Sequence, residues 1–102
     1  MKHIYIDENP YYKGTYLLFF KTNEFGWGQI PGRPNILGAR LLQISYPDYL
    51  RYCRDYYGAK IMGKKDKIPY LVFTDKKLLE KLAKELDSRL EIILNQNIVP
   101  AD

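Results

Sequence analysis

Residues 74–94 read TDKKLLEKLAKELDSRLEIIL, and how far the helix in this stretch runs decides the fold. Thr74 or Asp75 offers a side-chain oxygen for the N-cap, and Leu78, Leu79, Leu82 and Leu86 recur at helical spacing as a buried stripe. Glu80 and Lys84 add an i,i+4 pair in the favourable order. The end admits two readings. Leu90, Ile93 and Leu94 fit the same stripe and would prolong the helix, whereas the segment from Ser88 to Leu94 also suits a strand.

The preceding stretch tips the balance. Arg40 to Ile44 reads as a strand, and Ser45-Tyr46-Pro47-Asp48 opens a helix with a capping side chain and a proline in the first turn. Tyr46, Tyr49, Leu50, Cys53 and Tyr57 form its apolar face, and Gly58 is a natural left-handed terminator. Ala59 to Met62 reads as a strand, Gly63 to Lys67 as a turn, and Ile68 to Phe73 as the strongest strand in the chain. A shift of 29 residues lays 40–64 on 69–93, with Leu42 on Leu71, Ser45 on Thr74 and Leu50 on Leu79. Gly58 then falls on Asp87, so the second helix stops there if Arg89 to Ile93 is a strand. Two matching strand–helix–strand halves predict an α+β, ferredoxin-like βαββαβ fold, with a parallel βαβ sheet as the rival. Leu42, Leu50, Leu71, Phe73, Leu79, Leu82 and Leu86 are the predicted core.

The first 39 residues add a strand or two and a long loop to what reads as one domain over 1–102. His3 to Ile6 is a short strand, closed by a turn at Asp7-Glu8-Asn9-Pro10, and Thr15 to Lys21 is a second strand. Asn23 to Gly38 holds four glycines and two prolines and reads as irregular throughout. It also holds Trp27, which either stands partly exposed or folds back over the sheet beside Ile30 and Ile36.

Composition narrows the function classes. Tyrosine is the anomaly, with ten Tyr against four Phe and one Trp; its apolar ring and polar tip suit half-buried faces and binding surfaces. The net charge of +4 and pI near 9.1 suit a polyanionic partner without requiring one. Cys53 is the sole cysteine and lies on an apolar helix face, so it reads as a buried structural thiol. His3 is the sole histidine, at a terminus expected to fray, so a catalytic triad or a histidine-rich metal site is not available. Asp7, Glu8 and Asp75 follow strands, yet read more simply as turn and cap residues than as metal ligands. Gly26-Trp27-Gly28 and Gly32-Arg33-Pro34 match no dinucleotide or phosphate fingerprint, so no cofactor and no enzymatic activity are expected. The charged N-terminus and the lack of a long apolar run predict no signal peptide and no membrane span, hence a cytoplasmic setting.

Two runs, DENPYYKG at 7–14 and YLRYCRDYYG at 49–58, resemble the small orphan proteins of filamentous viruses that infect hyperthermophilic archaea, the lipothrixviruses. The resemblance is one of style and length over the whole chain. It implies expression in the cytoplasm of an archaeal host and an absence of cellular relatives, and it supplies no activity and no site residues. Five asparagines depart from the usual composition of heat-adapted chains.

A protein–protein interaction module is the preferred reading, as a monomer or homodimer with a protein or peptide partner. Its Tyr-rich groove would lie between the two halves, with Trp27, Tyr52, Tyr56 and Tyr70 as anchors and an exposed strand edge able to accept an added strand. The alternative is a nucleic-acid binder using Arg33, Arg40, Arg51, Arg54, Lys64, Lys65 and Lys67. Against the RNA-recognition version of the ferredoxin-like fold, Arg40 to Ile44 carries no aromatic residue on which a base could stack.

Overall fold

The computed structural model describes residues 2–21, 26–28 and 30–98. Three strands, β1 (Ile4–Glu8), β2 (Tyr16–Lys21) and β3 (Gly26–Gly28), form one antiparallel sheet in that order. Two helices follow, α1 (Leu37–Leu42) and α2 (Tyr46–Tyr57), then the antiparallel hairpin β4 (Lys60–Met62) and β5 (Tyr70–Val72). The last element is α3 (Lys76–Ile98). An isolated antiparallel bridge between Tyr16 and Phe73 joins the two sheets, where the Tyr16 amide donates to the Phe73 carbonyl at 2.9 Å.

The fold is α+β, but its order is not βαββαβ. Arg40 to Ile44 is not a strand, because Arg40, Leu41 and Leu42 close α1 instead. Ala, Arg and Leu are strong helix formers, and Gly38, Leu41 and Leu42 fall at i, i+3 and i+4 on its inner side. Gln43 ends the helix in the left-handed region, at φ 58°. The 88–94 segment is not a strand either: α3 runs without interruption through it. Its apolar stripe continues as Leu79, Leu82, Ala83, Leu86 and Leu90, all buried, with Ile93 and Leu94 packed against the core. Gly58 and Asp87 occupy equivalent places under the 29-residue shift, yet only the glycine terminates its helix, at φ 66°. The internal repeat and the pseudo-symmetric groove fall with that difference. All strand pairs among the described residues are antiparallel, so the parallel alternative falls too.

Other local readings hold. Ser45 caps α2 by accepting the Asp48 amide at 3.2 Å, Asp75 caps α3 by accepting the Leu78 amide at 3.1 Å, and Gly63 to Lys67 turn the hairpin. Six of the seven predicted core residues are buried; Leu42 is half-buried at its edge. The 23–38 segment is more regular than its glycines suggest, since Gly26–Gly28 pairs with β2 and α1 begins at Leu37. Asp7 and Glu8 belong to β1 rather than to a turn.

One contact sets how closely α1 approaches α2. A Cβ built on Gly38 would lie 2.2 Å from Cζ and Oη of the buried Tyr49, so only glycine lets the two helices meet here. Gly38→Ala is therefore expected to cost about 1–3 kcal/mol through overpacking. Leu82, fully buried on the inner face of α3, should cost roughly 2–5 kcal/mol on truncation to Ala. Urea denaturation of both variants measures these costs, and near-zero values would remove α1 and α3 from the core.

Candidate functional site: an open strand edge beside the last helix

β1 lies at the edge of its sheet. The Lys21 amide donates to the His3 carbonyl and the Asn9 amide to the Thr15 carbonyl, both at 2.9 Å. In an antiparallel ladder that parity directs the backbone groups of Tyr5 and Asp7 toward β2 and those of Ile4, Ile6 and Glu8 outward. Two of the outward amides have partners within the chain. The Asp87 carboxylate of α3 accepts the Ile4 amide at 3.4 Å, besides the His3 amide at 3.0 and 3.1 Å, and Asp7 accepts the Glu8 amide at 3.0 Å. His3 is thereby held and buried rather than frayed. The Ile4 carbonyl and both backbone groups of Ile6 remain directed at the open edge.

That edge borders a groove of about 660 Å³ between β1 and α3. One wall is Lys2, Ile4, Tyr5 and Ile6. The other is the flank of α3, where Lys76, Glu80, Lys84 and Ser88 follow one another at four-residue intervals beside Ala83, Asp87 and Glu91. Above it, on the outer face of the sheet, Tyr5 stacks on Phe19 with centroids 5.4 Å apart, and the Lys2 ammonium sits 5.1 Å from the Tyr5 ring centre. Such a groove offers an incoming chain unpaired main-chain groups, apolar floor from Ile4, Ile6 and Ala83, and charges of both signs.

The tyrosines predicted as anchors separate into different roles. The Tyr52 hydroxyl donates to the Glu85 carboxylate of α3 at 2.8 Å, and Tyr57 donates to the same carboxylate at 2.5 Å. Their rings meet edge-on at 5.5 Å, so the pair is a polar clamp between α2 and α3. Tyr56, 69% exposed, leans on the Tyr52 ring at 5.2 Å and is the anchor left open on this face. Tyr70 is half-buried on β5, and among the described residues no ring contact joins it to the others. Trp27 contributes its backbone to β3; its side chain lies outside the described part.

The basic residues are not gathered on one element. Arg51 pairs with Asp48 and Arg54 with Asp55, at 2.9 Å in the second pair, so α2 presents charges already matched. Arg33 precedes α1, Arg40 lies on α1, and Lys64, Lys65 and Lys67 occupy the β4–β5 turn, all exposed. No helix among the described residues is long and apolar enough to cross a membrane.

Sequence reading missed the groove because its two walls are far apart in the chain. The signal was present in α3: Lys76, Glu80 and Lys84 at i, i+4 and i+8 mark one polar flank, and Asp87 stands beside it.

Beneath this surface the core holds groups that resist ionisation. Burial pushes the Cys53 thiol from 9.0 up to about 12 and raises the Tyr49 phenol well above 10.0. Burial and the Glu85 carboxylate raise Tyr57, and burial with the same carboxylate raises Tyr52 against a lowering bond from Tyr57. For each, the folded pKa exceeds the unfolded one, so stability is intact below the unfolded value and is lost as pH rises from there through the folded value. The urea midpoint should stay level up to about pH 8.5 and fall progressively from about pH 9 to 11, and a level midpoint to pH 11 would show these groups to be solvated. Comparison with protein-family models finds no match, and comparisons with the curated proteins and the solved structures find none either, so the geometry of the groove is the ground on which function is read.

Proposed function

We propose that this chain is a protein–protein interaction module that takes an extended strand of a partner onto the open edge of β1. The observation that carries the reading is the outward-facing backbone of Ile4 and Ile6, set at the mouth of the β1–α3 groove. Strand addition supplies affinity through main-chain hydrogen bonds and specificity through alternate side chains that reach a groove floor. β1 suits this better than the other edges. β3, β4 and β5 have three residues each, whereas β1 offers five residues in register. Tyr5 and Lys2 flank the added strand, and Tyr56 is a separate exposed anchor on α2.

Selection from a displayed library of ten-residue peptides tests the reading. Bound sequences should alternate apolar and polar residues, and a selected peptide should shift the amide resonances of Ile4, Ile6 and Glu8 most. Shifts confined to Tyr52, Tyr56 and Tyr70 would move recognition to the tyrosine face and overturn the edge. Titration with mixed-sequence DNA and RNA at about 50 mM salt checks the basic-surface alternative, which demands binding that weakens steeply as salt rises.

A further inference from the structure

The strand that best fits this edge is β1 itself. We propose that the partner is a second copy of this chain, with the two β1 strands paired antiparallel about a two-fold axis at Tyr5. The inference rests on the strand-addition reading and names its partner.

Backbone parity limits the possible registers. Because Ile4 and Ile6 direct their amides and carbonyls outward, a symmetric pairing must set even-numbered residues opposite even-numbered ones. Ile4 opposite Ile6 of the second copy meets that condition and forms four main-chain hydrogen bonds across the axis. The Ile4 amide exchanges Asp87, its 3.4 Å contact, for a carbonyl of the second copy, while the His3 amide keeps Asp87 at 3.0 Å.

Side chains agree with this register. Lys2 then stands opposite Glu8 of the second copy and His3 opposite Asp7, while Ile4 meets Ile6 and Tyr5 meets Tyr5. The Lys2–Glu8, Ile4–Ile6 and Tyr5–Tyr5 pairs are base with acid, apolar with apolar and aromatic with aromatic, combinations that stabilise cross-strand neighbours. Sliding the register by two residues sets Ile4 opposite Glu8 in one direction and Lys2 opposite Ile6 in the other. Parallel pairing sets each charge against its own kind. The same two-fold axis reverses α3, whose groove wall carries Lys76, Glu80 and Lys84, net positive, toward its N-terminus and Asp87 and Glu91 toward its C-terminus. The net positive half of one wall therefore turns toward the acidic half of the other. Sequence and parity point to one arrangement: a six-stranded sheet continuous across the dimer.

Sedimentation equilibrium of the full chain between about 1 µM and 1 mM tests it, with Lys2→Glu and Glu8→Lys as probes at exposed positions. The parent protein should be a dimer, and each variant alone should dimerise at least about tenfold more weakly, since each places like charges at both ends of the ladder. An equimolar mixture of the two variants should recover the dimer, because the carboxylate introduced in one chain then faces the ammonium introduced in the other. Far-UV circular dichroism spectra of both variants that match the parent's exclude misfolding. A parent protein that stays monomeric at about 1 mM, or variants that dimerise as tightly as the parent, would overturn the proposal. A monomer that still binds a library peptide at Ile6 ends self-pairing and leaves strand addition standing; a monomer that binds none ends both.

Discussion

The apolar seam of α3 is the constraint on which the rest of this structure depends. Leu79, Leu82, Leu86 and Leu90 lie on one side of a single helix, and three layers meet them: β1 and β2 on the sheet side, α1, and α2. None of those elements has a large core of its own. The sheet has five-, six- and three-residue strands, and α1 has six residues, lengths that are marginal in isolation. Each is stable because it buries one face against the same stripe. The polar ends of that packing are also met from α3, where Glu85 holds two tyrosines of α2 and Asp87 holds the amides at the start of β1.

The second constraint is close approach around Tyr49. Its ring fills the space that a side chain at residue 38 would need, and it lies in the same buried cluster as Cys53. Glycine at 38 is therefore a packing requirement, not a conformational one, whereas Gly58 is needed for its left-handed backbone. Two glycines of the same chain thus answer to different physics.

Much of the architecture was legible because the responsible signals are local. Ser45 with Pro47 announced the start of α2, Gly58 its end, and the apolar alternation around Leu71 and Phe73 a strand. Two segments misled for a related reason. Arg40 to Ile44 is too short for a period of two to be told from one of 3.6, and only the packing of Leu41 into the core settles it. Ser88 to Leu94 had strand-like composition, but nothing at Asp87 or Ser88 breaks a helix, and the stripe simply continues through Leu90. The groove was the least legible part. It is made of a strand and a helix that share no sequence neighbourhood, and no single-chain periodicity encodes their meeting. Tyr57 was legible on the inner face of α2, but no local pattern shows that its hydroxyl and that of Tyr52 share the Glu85 carboxylate of α3.

The bond between the His3 amide and Asp87 spans 84 residues of chain. During synthesis, at about 5–20 residues per second, the His3 amide is therefore made roughly 4–17 s before the carboxylate that covers it. For that interval the strand has no helix to lie on, and β2 alone gives a hairpin too small to persist. Contacts this distant in sequence make folding slow relative to a helical bundle of equal size. On a polysome the exposed edge would meet identical edges from neighbouring nascent chains, at high local concentration. The charges of Lys2, Asp7 and Glu8 oppose in-register parallel stacking, the geometry by which identical strands accumulate into fibrils.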